Sequence, residues 1–227
     1  FGSGGAPDCS HGWSEAQPIK THRHATLIMS NYRRNFVKGG SYFFTVALAD
    51  RGKSLLVDHM DVLRNAFCQV KAAYPFGLDA IVVLPEHLHC IWTLPSGDAS
   101  YPDRWRRIKA AFSRRLPDRY PRSSSKVLKG ERGIWQRRYW EHTLRDEEDC
   151  QRHMDYIHYN PVKHGYVDRV VDWPHSTFHR YVEAGIYPRD WTGIGGTNEA
   201  GFGEMDQPND GLRDAPPILP LTLQTCS

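Results

Sequence analysis

Residues 79–94 have the sequence Asp79-Ala80-Ile81-Val82-Val83-Leu84-Pro85-Glu86-His87-Leu88-His89-Cys90-Ile91-Trp92-Thr93-Leu94, two apolar runs separated at Pro85. Short runs rich in β-branched and aromatic residues are typical of buried strands, and a proline interrupts such a run. We therefore predict one strand over residues 79–84 and another over residues 88–94. Their proximity in the sequence predicts an antiparallel pair.

The second of these strands has two different faces, because successive side chains of a strand point in opposite directions. The residues expected to point into the core are Leu88, Cys90, Trp92 and Leu94. His87 and His89 lie on the opposite face, together with Ile91 and Thr93. We expect that second face to be the more open one.

Further elements are predicted on both sides of this pair. They are a buried strand over 41–48, a helix over 55–73, an amphipathic basic helix over 103–116, a strand over 134–144, a helix from Asp146 that Pro161 closes, and a short packed segment over 172–183. The order strand, helix, strand, strand, helix, strand, helix predicts an α+β domain. A mostly antiparallel sheet would carry the helices on one face.

The ends of the chain show little apolar pattern. We predict a tail over residues 1–30, one domain over 31–183, and an extension of uncertain order over 184–227. No run approaches the length of a membrane span, and no apolar secretory signal precedes the domain. The five cysteines form no Cys-x-x-Cys pair, which favours reduced thiols and a cytoplasmic location.

Positive charge is concentrated between Tyr101 and Arg145. About half of the 29 lysines and arginines lie in this window, which is about a fifth of the chain, and Trp135 and Trp140 lie among them. Cationic side chains neutralise phosphates, and flat rings stack on unpaired bases, so the window favours a nucleic-acid surface. A solvated helix face followed by a basic loop is the alternative interpretation.

The predicted helix after Asp146 has a polar face. Tyr156 and Asn160 are four residues apart and share that face. His153 lies beside them, and we expect it to form hydrogen bonds there rather than to bind a metal. If this face meets His87 and His89, two imidazoles and an amide oxygen would surround one cation beside a phenol. Such a site is suited to attack on a phosphodiester.

Each part of this site has a plainer interpretation. Asn160 precedes Pro161, and asparagine before proline is a common helix cap. The spacing of His87 and His89 recurs as His22-Arg23-His24 in the unpatterned tail, so the spacing by itself is not specific. The combination of both motifs therefore carries the hypothesis.

Taken together, the motifs resemble those of a known family. Leu84-Pro85-Glu86-His87-Leu88-His89 and Tyr156-Ile157-His158-Tyr159-Asn160-Pro161-Val162-Lys163-His164-Gly165 resemble the single-tyrosine HUH transposases, in particular the REP-associated tyrosine transposases. The segments Asn31-Tyr32-Arg33-Arg34, Gly39-Gly40-Ser41-Tyr42-Phe43-Phe44-Thr45, Trp135-Gln136-Arg137-Arg138-Tyr139-Trp140-Glu141-His142 and Asp172-Trp173-Pro174-His175-Ser176 fit the same branch. The resemblance covers residues 31–182.

This resemblance implies a ferredoxin-like domain of the HUH endonuclease type that nicks, and in some cases rejoins, single-stranded DNA at imperfect hairpins. His87, His89 and Asn160 would hold Mg²⁺ or Mn²⁺, and Tyr156 would be the nucleophile that forms a 5′-phosphotyrosine. The branch is expected to act as a monomer, although family members that share sites across a dimer exist. On DNA the protein would be associated with the nucleoid.

The resemblance also gives the basic residues a role in gripping the hairpin. The residues predicted to contact DNA are Arg33, Arg34, Lys109, Arg114, Arg115, Trp135, Arg137, Arg138 and Lys163. Two alternatives stay open at this point. One is a domesticated hairpin-binding protein without turnover, and the other is a small metal-binding or RNA-binding domain with no nuclease role.

Overall fold

The structure is a computed structural model that describes residues 34–117, 124–130 and 132–193. The elements in chain order are β1 (Ser41–Ala47), α1 (Leu55–Asp58), α2 (Met60–Ala73), β2 (Gly77–Val83), β3 (His87–Thr93), α3 (Tyr101–Arg115), α4 (Ser124–Leu128), β4 (Trp140–Thr143), α5 (Glu147–Lys163), a 3-10 turn (Val170–Asp172) and α6 (Phe178–Glu183). Within these ranges, no helix has the length and apolar character needed to cross a membrane.

The four strands form one antiparallel sheet with the order β2-β3-β1-β4. The predicted pairing of the two strands around Pro85 is confirmed, because β2 pairs antiparallel with β3. One helical connection joins β1 to β2 and another joins β3 to β4, which gives the ferredoxin-like arrangement. The predicted α+β class is confirmed.

One face of the sheet packs against α2 and α3. The indole rings of Trp92 on β3 and Trp105 on α3 stack at 4.3 Å between centroids, and Phe67 of α2 meets both rings edge-on. Leu88 and Cys90 belong to the same buried cluster. The predicted core face of β3 is therefore confirmed.

The other face of the sheet is covered by α5. Met154 and Ile157 of α5 share a buried cluster with Phe43, Val82 and Ile91 of the sheet. The expectation of an open histidine face is therefore wrong, because α5 covers that face in addition to α2 and α3 on the opposite one. The apolar stripe of α5 must be buried, and the central strand β1, buried at every position, supplies apolar side chains on both faces.

Several predicted boundaries also differ from the structure. The helix predicted over 55–73 is interrupted at His59, between α1 and α2. Of the strand predicted over 134–144, only Trp140–Thr143 forms β4, although Trp135 makes an isolated bridge to Leu48. Pro161 does not close α5, which continues to Lys163. A proline this close to the end of a helix removes one internal hydrogen bond without stopping the last turn.

The folded part of the chain continues past the boundary predicted at residue 183. Tyr187 is buried beside Phe178, and Trp191 packs on both of these rings. The hydroxyl of Tyr187 donates a hydrogen bond to Asp155 of α5. Two aromatic residues in a Pro- and Gly-rich segment show no periodicity, which is why the sequence pattern missed them. The predicted tail over 1–30 and most of the predicted C-terminal extension lie outside the described residues.

Candidate active site

β3 places His87 and His89 side by side under α5. The two imidazole rings lie 4.8 Å apart between centroids, and the residues are 2% and 1% exposed. The shared face follows from their spacing on a strand, as predicted from the sequence. Their burial follows from the contact between α5 and the sheet.

Each imidazole is held through Nδ1. His87 Nδ1 lies 2.9 Å from Glu86 Oε1, and His89 Nδ1 lies 2.8 Å from Thr45 Oγ1. A partner on Nδ1 fixes the ring orientation and directs Nε2 towards a ligand, which is the usual support of a metal-binding histidine. Sequence reasoning missed both partners. Glu86 could have been suspected from its position beside His87, whereas Thr45 becomes visible only once β1 is paired with β3.

The electrostatics of His89 favour a neutral ring. Burial first, and then the positive groups of His87, His164 and Lys163, hold the pKa of His89 well below its usual value. His89 Nε2 is buried and has no hydrogen-bond partner among the described residues. A neutral imidazole with a buried, unsatisfied ring nitrogen is suited to binding a cation.

α5 brings Tyr156 against this pair of histidines. The phenol ring of Tyr156 meets the imidazole of His89 edge-on at 5.2 Å between centroids, and Phe43 packs on Tyr156 at 6.0 Å. Lys163 Nζ lies 5.2 Å from the centroid of the Tyr156 ring. The structure therefore brings three of the predicted catalytic residues and one predicted DNA contact together.

Asn160 lies one helical turn after Tyr156 and is 0% exposed. Its side chain makes no hydrogen bond to the described residues through either Oδ1 or Nδ2. The alternative interpretation of Asn160 as a helix cap is wrong, since α5 continues through it and the C-cap residue is His164. An unsatisfied buried amide is costly, so Asn160 fits a site whose partner is supplied by a ligand.

The predicted base contact at Trp135 is wrong. Trp135 is only 9% exposed, its ring packs on Phe112 at 5.3 Å, and its indole N–H donates to the carbonyl of Lys109. Lys109 is also engaged inside the fold, because its Nζ donates to the carbonyl of Gln136 at 3.0 Å. Burial lowers the pKa of Lys109 to about 8. Its internal hydrogen bond, rather than this pKa, argues against the predicted contact with phosphate. A charge pattern did not reveal that Trp135, in an irregular segment, and Lys109, on α3, point into the fold.

The other predicted DNA contacts differ in exposure. The exposed ones are Arg114, Arg115, Arg137 and Arg138. Arg34 is partly exposed and lies over the ring of Tyr139, and Lys163 lies beside Tyr156. Arg33 lies outside the described residues. The exposed arginines therefore stay candidates for contacts with a nucleic-acid backbone.

A second group of possible metal ligands consists of His142, Asp149 and His153, whose ligand atoms all lie within 4.8 Å of one another. His142 Nε2 is 2.8 Å from Asp149 Oδ2, and His153 Nδ1 is 3.2 Å from Asp149 Oδ1. Guanidinium nitrogens of Arg145 and Arg152 each approach the same carboxylate to 3.4 Å. Their positive charge disfavours a divalent cation here, so we regard the group as a hydrogen-bonded network. The expected hydrogen bonding of His153 is present, because its Nδ1 also lies 2.7 Å from the backbone carbonyl oxygen of Asp149.

Comparison with known proteins identifies the family of this chain. The family model described as "Transposase IS200 like" matches residues 27–160. The REP-associated tyrosine transposase of Escherichia coli K12 is 50% identical over 165 residues, which cover 73% of this chain and 92% of that protein. A Haemophilus influenzae relative named for the same branch is 52% identical over 166 residues, which cover 73% of this chain and 94% of the relative.

A solved structure agrees with these relatives. It is described as a REP-associated tyrosine transposase bound to a REP hairpin, and it is 48% identical to this chain with a TM-score of 0.65. The match covers 76% of this chain and 97% of that one. The residues matched by the family model include β1–β4 and α5 through Asn160. The chain therefore belongs to the IS200-like transposase family, in the branch of the REP-associated tyrosine transposases.

Proposed function

We propose that this transposase is a metal-dependent endonuclease that nicks single-stranded DNA at a repeat hairpin through a 5′-phosphotyrosine. The observation that carries the proposal is the position of Tyr156 against His89, whose Nε2 is buried and unsatisfied. The solved relative bound to a REP hairpin supports hairpin DNA as the substrate class.

His87, His89 and Asn160 would hold the metal. They supply two ring nitrogens and one amide oxygen, a set that suits Mn²⁺ or Mg²⁺, with imidazole favouring Mn²⁺. In the tautomer in which His89 Nδ1–H donates to Thr45 Oγ1, Nε2 would present its lone pair to the metal. The bound cation would act as a Lewis acid on the phosphodiester.

The chemical step assigned to Tyr156 is a transesterification. Its phenolic oxygen loses a proton and forms a bond to phosphorus, the bond from phosphorus to the 3′-oxygen breaks, and the leaving 3′-oxygen takes up one proton to become a 3′-hydroxyl. A phenol is a weak nucleophile at neutral pH, and the ammonium of Lys163 would stabilise negative charge that develops on the attacking oxygen. The phosphotyrosine keeps the energy of the phosphodiester, so a later 3′-hydroxyl can rejoin the strand by the reverse step.

We also propose an oligomeric state, a set of DNA contacts, a domain range and a location for the protein. We propose that the protein acts as a monomer in which Tyr156 works beside His89 of the same chain, as their ring contact allows. Arg114, Arg115, Arg137 and Arg138 are exposed and would contact the hairpin backbone. We assign the catalytic domain to residues 31–193. We also propose that the protein is cytoplasmic and is associated with the nucleoid when it is bound to DNA.

The experiment that tests the proposal compares Tyr156→Phe with Tyr159→Phe. The control, Tyr159, is three residues further along α5 and is exposed. With a REP hairpin carrying single-stranded flanks and Mn²⁺, we expect a denaturant-resistant protein–DNA adduct from the wild type and from Tyr159→Phe. Tyr156→Phe should bind the hairpin but form no adduct. An adduct from Tyr156→Phe at the wild-type rate would refute the assignment, and hairpin binding without any adduct from the wild type would favour the domesticated binding protein.

A further inference from the structure

Trp140 lies in the same row of the sheet as His89. The register pairs Val82 with His89, His89 with Thr45, and Thr45 with Trp140. Directly paired residues project on the same face, so Trp140 lies on the face that α5 covers. Adjacent strands are about 4.8 Å apart, which puts the Cα atom of Trp140 roughly 10 Å from that of His89, on the edge strand β4.

The indole of Trp140 belongs to a set of nearly parallel rings. It is within 5° of the plane of His142, at 5.8 Å between centroids, and His142 is within 15° of His153, at 4.7 Å. Phe43 meets the indole edge-on at 5.5 Å. These contacts fix the orientation of a side chain that is itself only partly buried.

Asp149 anchors the two imidazoles behind Trp140. It is 2% exposed and contacts His142 and His153 through its two carboxylate oxygens. Burial by itself would raise the pKa of Asp149, but the hydrogen bonds from His142 and His153 outweigh burial and hold it far below its usual value. The contacts of Asp149 with both imidazoles, together with the ring contacts, hold the ring set behind Trp140 in place.

We propose that Trp140 is a stacking platform for one nucleobase of the single strand next to the cleaved phosphodiester. This inference rests on the proposed function, because it places that phosphodiester at Tyr156 and His89. The ring of Trp140 is partly exposed on the edge strand β4 and lies in the same row of the sheet as His89. A base that flanks the cleaved phosphodiester could therefore stack flat on this ring. Arg138 is exposed two residues earlier, and Arg145 is partly exposed beyond the end of β4, so cations for the strand's phosphates flank the ring.

The other tryptophans in the described part of the chain are placed differently. Trp92, Trp105 and Trp135 are buried in the core on the α2 and α3 face. The indole N–H of Trp173 donates to the carbonyl of Val83, and Trp191 packs on aromatic side chains of the α6 segment. Stacking on an aromatic ring accepts any base, so the platform would position the strand without reading its sequence.

The test uses a short oligothymidylate strand with one 5-iododeoxyuridine, bound in EDTA so that no metal-dependent step occurs. After irradiation, mass spectrometry should map the crosslink to Trp140. Trp140→Ala should weaken binding of the unmodified strand about tenfold, Trp140→Phe should weaken it less, and Trp191→Phe should bind as the wild type does. Replacing the stacked base with an abasic site should weaken wild-type binding equally and add nothing to Trp140→Ala.

Crosslinks that map only to other residues, or wild-type affinity in Trp140→Ala, would overturn the platform. If Trp140→Ala fails to fold, the crosslink map and the Trp140→Phe affinity decide. The adduct assay with Tyr156 is independent of these measurements. A wild-type adduct without the Trp140 crosslink would refute only the platform, whereas a Trp140 crosslink in a protein that never forms an adduct would refute only the nicking reaction.

Discussion

The phenol of Tyr156 and the imidazole of His89 are in edge-to-face contact, with ring centroids 5.2 Å apart and planes at 74°. This contact joins the middle of α5 to β3, although Tyr156 and His89 are 67 positions apart in the sequence, 156 minus 89. It places a phenol beside a buried imidazole whose pKa burial holds well below its usual value. The predictions below follow from this contact and from the side chains that support it.

Asn160→Ala should remove the stabilisation that Mn²⁺ gives without destabilising the metal-free fold. Because the buried amide has no partner among the described residues, we expect the variant in EDTA to be at least as stable as the wild type. Mn²⁺ should raise the Tm of the wild type but not of Asn160→Ala, because a ligand stabilises only the state that binds it. Thermal unfolding with and without Mn²⁺ measures both effects. A clear loss of stability in EDTA would instead assign Asn160 a structural role.

Glu86→Gln should weaken the metal site while leaving the fold intact. The carboxylate holds His87 through Nδ1 and also accepts a hydrogen bond from the hydroxyl of Tyr166. Loss of a carboxylate behind a ligating histidine typically lowers metal affinity about 10- to 100-fold. Calorimetric titration with Mn²⁺ measures this loss, and Glu183→Gln, at an exposed position, is the matched control. Equal affinity in both variants would show that Glu86 does not support the site.

Arg138→Gln should weaken the binding of DNA to a similar extent whatever the DNA sequence. If Arg138 contacts a phosphate, the slope of log affinity against log salt should fall by about 0.7 for a single strand. Fluorescence anisotropy over a range of salt concentrations gives the slope. Lys109→Met is the comparison, because Lys109 is held inside the fold. A larger change in slope for Lys109→Met than for Arg138→Gln would reverse our assignment of the surface.

Lys109 should also make the free energy of unfolding change with pH in the alkaline range. Burial lowers its pKa to about 8 in the folded protein, so between this value and the unfolded value near 10.4 the unfolded chain binds more protons. This contribution to stability is present above the unfolded pKa and is lost as pH falls to about 8.

Relative to Lys109→Met, the wild type should therefore gain about 2 kcal/mol in free energy of unfolding between roughly pH 7.5 and 9.5. Urea unfolding of both proteins at the two pH values measures the difference. An equal change with pH in the wild type and in Lys109→Met would mean that the ammonium is solvated in the native state.

The parts of the site that were predictable from the sequence depend on local geometry. The shared face of His87 and His89, and that of Tyr156 and Asn160, follow from the periods of a strand and a helix. The support of His89 by Thr45 could not be predicted in the same way, because it requires the register between β1 and β3. The burial of the histidines likewise depends on α5, which lies far away in the sequence.

In the basic window between Tyr101 and Arg145, the residues that form the surface could not be predicted from the sequence. Its charge pattern did not reveal that Trp135 and Lys109 point into the fold. The segment before β4 that holds Trp135 is irregular and has no period that assigns a face. Lys109 lies on α3, and its contact with the carbonyl of Gln136 depends on how that irregular segment packs. Arg104 is similarly buried, with its guanidinium donating to the carbonyls of Tyr74 and Pro75. Composition indicated the kind of surface, but it did not identify which residues form it.

The most direct test of the account is to locate the bond between protein and DNA. The full chain would be incubated with Mn²⁺ and a REP hairpin labelled on the 3′ side of the nick, digested, and analysed by tandem mass spectrometry. The account predicts a labelled nucleotide joined through its 5′-phosphate to the phenolic oxygen of Tyr156. A bond to any other residue, or a linkage through a 3′-phosphate, would contradict it.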